Sequence, residues 1–182
     1  TNLSSGVVVL SATKNFINNG GATALSSTGT SGQWIVYSTS PVDNTFGGLV
    51  SGNVAYWGHT YSNLPPSSIL GNTYVFSATG AVTIATINDS KIYGQTKDVS
   101  NDYLLSGDPL SASIYGNVYV NTATSDIWTE TLSVTSVGSV STANAGIYAI
   151  NASTATAKSG FSITYPNNGL LSVERATVIL SA

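Results

Sequence analysis

Short runs of aromatic and β-branched residues, separated by turn residues, cover most of the chain. Residues 33–37 (QWIVY) and 73–76 (TYVF) are the clearest of these runs, and their composition favours strands. Pro41 has no backbone donor for a sheet ladder, so it ends the first of these strands. Gly47 and Gly48 follow in a turn, because glycine tolerates positive φ. The pattern therefore predicts an all-β chain.

The first 32 residues alternate apolar runs with Asn, Gly, Ser and Thr turns. Residues 7–10 (VVVL) and 22–25 (ATAL) recur at short, uneven intervals. This spacing suits the last rungs of a β-solenoid, in which each rung buries an inward stripe against its neighbour. An irregular antiparallel meander is the alternative. A solenoid end exposes unpaired backbone, and residues 34–61 with the strand at 73–76 are the predicted cap.

A second region begins after the small-residue stretch 77–80. Residues 82–86 (VTIAT) open it, and apolar side chains then recur at every second position, with turn residues between the runs. Several short strands with regular turns predict an immunoglobulin-like antiparallel β-sandwich or a compact relative of it. The alternating sets are Ile114 with Val118 and Val120, Leu132 with Val134, Tyr148 with Ile150, Phe161 with Ile163 and Tyr165, and Leu171 with Val173.

Charge is scarce, and this narrows the function classes. Only 7% of the 182 residues are charged, and the net charge is −3, which argues against nucleic acid because its binding needs a basic stripe. No run approaches the roughly 20 apolar residues of a membrane helix, so no membrane insertion is expected. With no cysteine and a single histidine, zinc is all but excluded.

Residues 33–61 hold two of the three tryptophans and the single histidine. Fifteen positions in this part of the chain match one motif in fixed order: Trp34, Tyr37, Ser38, Pro41, Asp43, Thr45, Phe46, Gly47, Gly48, Ser51, Gly52, Asn53, Trp57, Thr60 and Tyr61. In these positions the segment resembles the C-terminal region of exoproteins secreted by the two-partner route, the filamentous-haemagglutinin type of bacterial adhesin (TpsA). In that family the motif follows a long parallel β-helix and precedes modules of the MBG/YDG type.

The resemblance implies a domain order for the chain. Residues 1–80 would end and cap a right-handed parallel β-solenoid, and residues 81–176 would form an MBG/YDG-like sandwich, whose Lys-x-Tyr-Gly signature resembles Lys91, Tyr93 and Gly94. Residues 177–182 would start a following repeat, because the C-terminus repeats the texture of residues 81–87. The resemblance also implies a piece of a larger protein at the bacterial cell surface, secreted through a TpsB-type outer-membrane transporter.

Catalysis has little support in the sequence. His59 is the only imidazole, no G-x-S-x-G elbow surrounds any serine, and eight acidic residues supply all carboxylates. We therefore predict that the chain is not an enzyme and uses no cofactor. Calcium is the one metal left open, at the oxygen-rich loop that carries Asp98, Asp102 and Asp108. Ordinary solvated turns are the preferred interpretation of this loop, since it lacks fixed ligand spacing.

Aromatic side chains are the best candidates for ligand contact. A sugar ring can stack on tryptophan or tyrosine while its hydroxyls pair with amides and carboxylates. Two groups of residues fit this description: Trp57 and Tyr61 beside Asn53 and His59, and Trp128 beside Asp126. Trp34 and Tyr37 lie inside a strong strand pattern and are expected in the core.

Two functions follow as hypotheses. The first is a non-enzymatic fragment of a secreted adhesin that acts in attachment, aggregation or biofilm cohesion, with a host or matrix glycan or a surface protein as partner. The alternative is a dedicated carbohydrate-binding module that recognises a glycan through the tryptophan and tyrosine groups. A polysaccharide-degrading enzyme ranks last, because the sequence offers no catalytic pair.

Overall fold

The computed structural model describes residues 2–3, 6–27 and 32–177, and strands are the main regular structure. Strands take 36% of the chain and helices 12%, which confirms the predicted all-β class. The strands are β1 (Asn2–Leu3), β2 (Gly6–Ser11), β3 (Ser26–Ser27), β4 (Gly32–Ser38), β5 (Tyr56–Trp57), β6 (Thr73–Phe76), β7 (Gly80–Thr86), β8 (Asp89–Ile92), β9 (Tyr103–Ser106), β10 (Ser133–Thr135), β11 (Gly146–Ala149), β12 (Asn151–Ser153), β13 (Phe161–Thr164) and β14 (Leu170–Glu174).

Helical structure consists of single turns. The 3₁₀ helices are Pro41–Asp43, Pro66–Ser68, Asp108–Leu110, Ala112–Tyr115 and Val137–Ser139, and the α-helix is α1 (Thr124–Ile127). None of these helices in the described part of the chain is long and apolar enough to cross a bilayer.

The chain divides into two compact units. Unit 1 takes its described residues from Thr1–Val82, Gly107–Ile127 and Ala157–Ser162, and unit 2 takes its own from Thr83–Ser106, Trp128–Thr156 and Ile163–Ala182. The chain therefore passes between the units five times rather than once. The sequence modules 1–80 and 81–176 stay a prediction, and the expected following repeat lies mostly outside the described residues, which end at 177.

Unit 1 is organised by a parallel sheet with the order β2-β4-β6-β5. All of its strand pairs are parallel, and β1 pairs with β3 in the same sense. The pairs that set the register are Asn2 with Ser26, Val7 with Gln33 and Ile17 with Thr45, at offsets of 24, 26 and 28 residues. One turn of chain thus lies along the next, and the antiparallel alternative is not what these described strands form.

Both faces of β4 are buried. Successive side chains of a strand point to opposite faces, so Trp34 and Val36 enter one apolar cluster while Ile35 and Tyr37 enter another. Such two-sided burial is typical of parallel sheets. The first cluster also holds Phe46, Leu49, Ala55, Trp57, Tyr74, Phe76, Ala112, Val118 and Tyr119, and the second also holds Ile69 and Val75. The expected core position of Trp34 and Tyr37 is confirmed.

The turns after β4 follow their sequence. The strand ends at Ser38, three residues before Pro41, and the Ser40 hydroxyl accepts a hydrogen bond from the Val42 backbone at 3.3 Å to cap the next 3₁₀ helix. Gly47 and Gly48 adopt φ of +59° and +75°, as predicted for a turn. These turns return the chain to the edge of the sheet, where β5 forms.

Unit 2 contains shorter and mostly antiparallel pairs. The β10–β12 and β11–β14 pairs are antiparallel, and so is the pairing of β9 with the Thr83–Thr86 part of β7. β14 also pairs with β8 in parallel. The predicted alternation is visible in β14, where Leu171 and Val173 are buried.

One predicted stripe is wrong. Ile114, Val118 and Val120 do not share a strand face, because Ala112–Tyr115 is a 3₁₀ helix and Ile114 is exposed. Gly116 and Asn117 then adopt φ of +77° and +55°, which a strand does not allow. Only an isolated parallel bridge, between Val54 and Val120, remains of the predicted strand.

Candidate functional site

Two glycine turns position the edge strand β5. Gly52 and Gly58, each with φ of +69°, lie before and after it. A Cβ on Gly58 would lie 2.5 Å from the Gly160 Cα, and a Cβ on Gly160 would lie 2.2 Å from the Trp57 carbonyl oxygen. Only glycine fits this backbone contact, which brings the segment 157–162 against the end of β5.

A cavity of about 520 Å³ opens beside β5, and every residue that lines it belongs to unit 1. Small-molecule sites commonly have about 300–1,000 Å³, so this cavity has the size of a ligand site. Four of the six predicted ligand-binding residues line it: Asn53, Trp57, His59 and Asp126. The structure therefore brings together residues that are more than 60 positions apart in the chain, Trp57 and Asp126 among them.

Trp57 is a wall of the cavity and not an open stacking surface. Its side chain is 2% exposed, and its ring packs against Phe76 at 4.9 Å and Tyr119 at 6.4 Å between centroids. The indole Nε1 donor has no hydrogen-bond partner. A buried donor without a partner costs about 1–3 kcal/mol, so this orphaned group is unfavourable as it stands.

His59 lies beside the exposed ring of Tyr56. The two rings meet edge to face at 6.3 Å, and the His59 backbone nitrogen donates to the Phe76 carbonyl at 3.0 Å. The imidazole Nδ1 is buried and has no hydrogen-bond partner. Among the described residues, no serine hydroxyl or carboxylate bonds to this ring, so the geometry of a hydrolytic triad is not formed here.

Asn53 and Asp126 supply polar groups from opposite ends of the sequence of unit 1. The Asn53 amide nitrogen donates to the carbonyls of Asn72 at 2.7 Å and Ser51 at 3.3 Å, which leaves Oδ1 as the acceptor available to a ligand. Asp126 lies in the single turn α1 and is exposed. The lining therefore offers one neutral and one charged acceptor.

Several lining residues were not predicted. Thr122, Ser159 and Phe161 come from the two later segments of unit 1, and the Thr122 hydroxyl is a further buried polar atom without a partner. Leu70 lines the cavity from the loop before β6. No local pattern marks these positions, because they reach the cavity through contacts between distant parts of the chain. Tyr56, in the aromatic segment itself, was within reach of the sequence.

Tyr61 and Trp128 do not line the cavity. Tyr61 is 52% exposed, and its ring packs edge to face on Tyr37 at 5.5 Å. Trp128 is half-buried and belongs to unit 2, whereas Asp126 belongs to unit 1. These two predicted contacts stay predictions that the cavity does not include.

The three aspartates proposed for calcium have other partners. The Asp98 carboxylate accepts from the Ser100 backbone at 2.9 Å, which lowers its pKa, and the Asp108 carboxylate accepts from the Tyr115 hydroxyl at 2.7 Å. Burial and a hydrogen bond with Asp89 raise the pKa of Asp102. Within the described ranges no three acidic or histidine side chains are grouped as metal ligands.

Lys97 neutralises part of this acidic loop. Its ammonium lies 2.6 Å from the Asp89 carboxylate. Burial acts to raise the pKa of Asp89, but the hydrogen bonds from Lys97 and from the Ser90 backbone outweigh it and lower the pKa. The loop therefore holds its charges in a local ion pair.

Comparison of the chain with protein-family models, with curated proteins and with solved structures gave no match.

Proposed function

We propose that the chain is a non-enzymatic segment of a secreted bacterial cell-surface adhesin, which acts as a stalk, a binding region or both in attachment, aggregation or biofilm cohesion. The observation that carries this proposal is the parallel ladder of unit 1, with register offsets of 24, 26 and 28 residues. A chain whose turns hydrogen-bond along one another can be extended turn by turn into a stiff rod.

The proposal includes a finer fold assignment. Residues 1–80 end a right-handed parallel β-solenoid, residues 81–176 form an immunoglobulin-like sandwich, and residues 177–182 begin a following repeat. The parallel sheet of unit 1 supports the first part, and the antiparallel pairs β7–β9, β10–β12 and β11–β14 support the second. The resemblance of residues 33–61 to two-partner exoproteins supports the extracellular location and the TpsB-type transporter.

Surface display tests this proposal. The chain is displayed on a non-adherent bacterium, and autoaggregation and attachment to matrix-coated or host-cell surfaces are counted against an unrelated all-β domain displayed at equal density. We expect attachment or aggregation above this control. Equal counts would contradict the adhesive role, and turnover of a polysaccharide by the purified chain would contradict the non-enzymatic one.

Glycan recognition is the second candidate function, and the cavity beside β5 favours it. Asn53, Trp57, His59 and Asp126 were proposed as sugar contacts from sequence, and all four line this cavity. A glycan array with the full chain tests it: selective binding supports a carbohydrate-binding module, whereas failure to bind any glycan leaves the stalk role alone. A Trp128→Ala variant separates a second site in unit 2 from the cavity.

A further inference from the structure

We propose that the cavity beside β5 takes uncharged saccharides and discriminates against sugars that carry carboxylate, sulfate or phosphate groups. This inference rests on the glycan-recognition candidate above and adds the chemical class of the ligand. Four properties of the lining support it, namely its charge, its hydrogen-bonding groups, its unpartnered buried atoms and its exposed apolar surface.

The charge of the lining opposes anions. Asp126 is its only carboxylate, and the lining contains no lysine or arginine. Sites for acidic ligands are usually built from arginine or lysine clusters, since these groups pair with carboxylate or phosphate. An acidic sugar here would instead bring a second negative charge towards Asp126, in a chain whose net charge is already −3.

The hydrogen-bonding groups of the lining suit hydroxyls. A sugar hydroxyl both donates and accepts, so its site needs donors and acceptors together. The Asn53 Oδ1 and the Asp126 carboxylate accept, while the Ser159 hydroxyl can do either. The Asn53 amide is held by its two backbone acceptors, so its Oδ1 has a fixed direction.

Two nearly buried side chains of the lining carry polar atoms without partners. Trp57 is 2% exposed and Thr122 is 3% exposed, and neither the indole Nε1 nor the Thr122 Oγ1 has a hydrogen-bond partner. Native structures seldom leave such groups unsatisfied. Because neighbouring atoms cover them, a ligand hydroxyl reaches them only when the lining shifts, and binding then restores the missing hydrogen bonds.

Apolar surface completes the cavity. The Tyr56 side chain is 39% exposed and is held against His59, and Leu70 is 88% exposed. Phe161 is half-buried in the same lining. These groups offer a surface to the apolar C–H face of a sugar ring, in the mixed arrangement that is usual for small-ligand sites.

The test compares matched neutral and acidic saccharides on the full chain. Isothermal titration uses neutral gluco-, galacto- and manno-configured oligosaccharides and their uronate, sulfated or sialylated counterparts at one fixed salt concentration. We expect the acidic counterpart of a bound neutral sugar to bind about tenfold more weakly, because the repulsion from Asp126 acts at short range. An Asp126→Asn variant should lose this discrimination and keep its affinity for the neutral sugar within a few-fold.

Two pairs of variants locate the site. Tyr56→Ala should weaken neutral-sugar binding about tenfold through the loss of ring contact, whereas Tyr61→Ala should not, since Tyr61 lies outside the lining. Ser159→Phe fills the cavity from an exposed position and should abolish binding. Ser162→Phe, also exposed, is its control. Circular dichroism and thermal melting confirm that each variant is folded.

Each outcome decides between the proposals. Acidic sugars that bind as well as neutral ones overturn the inference and leave glycan recognition standing. Binding of no saccharide overturns both, while the stalk role is unaffected. Neutral-sugar binding that survives both Tyr56→Ala and Ser159→Phe places the site elsewhere and overturns the cavity assignment.

Discussion

The two units of this protein bury different kinds of side chain. Unit 1 has a continuous aromatic cluster, in which Trp34 meets Tyr74 at 5.0 Å and Trp57 meets Phe76 at 4.9 Å between ring centroids. Unit 2 buries aliphatic side chains, Ile150 and Leu171 among them, together with the cation of Lys91, which is 5% exposed.

This contrast indicates two ways of holding distant segments together. Large rings bury much apolar area with few rotatable bonds, so a few of them can fix several segments to one parallel sheet. In unit 2, the Lys91 ammonium donates to the backbone carbonyls of Gln95, at 2.8 Å, and of Val140, which ties two loops to β8. Unit 1 therefore depends on packing, whereas unit 2 depends in part on polar contacts.

The largest expected effect is the loss of an aromatic side chain from unit 1. Phe76→Ala should lower the free energy of unfolding by about 3–5 kcal/mol, because it removes a fully buried ring and leaves a cavity. Urea unfolding followed by tryptophan fluorescence measures it. Leu70→Ala, at an exposed position, is the control and should cost less than about 0.5 kcal/mol. A loss below about 1 kcal/mol for Phe76→Ala would contradict the dependence on packing.

The next effect concerns the buried cation of unit 2. Lys91→Met keeps most of the side-chain volume and removes the donor, so the carbonyls of Gln95 and Val140 lose a partner. We expect a loss of about 1–3 kcal/mol in urea unfolding, with faster amide exchange in unit 2. Lys158→Met is the control: Lys158 is exposed, and its ammonium donates only to the Ser125 carbonyl at 2.6 Å. Equal losses in both variants would show that burial of the lysine does not matter.

The smallest effect is a pH dependence in the acidic loop of unit 2. The raised pKa of Asp102 means that folding favours its protonated form, so its ionised form lowers stability above that pKa and has no effect below the ordinary aspartate range near about 3.9. Asp102→Asn should therefore raise the melting temperature on the order of 1 °C at neutral pH and leave it unchanged at pH about 3.

The surrounding charges define the control for this prediction. Asp89, Asp98 and Lys97 all act on Asp102, and Lys97 acts in the opposite sense to the two aspartates. Asp98→Asn changes an exposed carboxylate whose pKa is lowered, so its pH dependence should have the opposite sign. Melting curves that show the same shift for Asp102→Asn at both pH values would contradict the assigned cause.

Local composition was enough to predict the strands of the sheet in unit 1. Residues 33–37 and 73–76 fall within β4 and β6, because their aromatic and β-branched side chains suit a sheet that is buried on both faces. The prediction for residues 114–120 failed for a local reason as well. Ile114 lies in a 3₁₀ helix, and the left-handed backbone at Gly116 and Asn117 outweighs the alternating pattern.

The candidate site was predictable only in part. Asn53, Trp57 and His59 are neighbours in sequence, so their clustering could be inferred, and Asp126 was found through its polar surroundings. Trp57 was expected at a surface but is buried, because its ring packs against Phe76 and Tyr119. Tyr119, like Thr122 and Phe161, reaches this region through long-range contacts that no single-sequence pattern encodes.

The backbone contact between Gly58 and Gly160 bears on the order in which the molecule is made. Synthesis proceeds from the N-terminus and early segments fold first, yet Gly160 and Phe161 leave the ribosome long after β5. A nascent chain that has released only β5 lacks part of the cavity wall, and a recombinant fragment cut after residue 80 would share that defect. Recognition at this cavity is therefore a late-acquired property, which a chain gains only when its synthesis has passed residue 161.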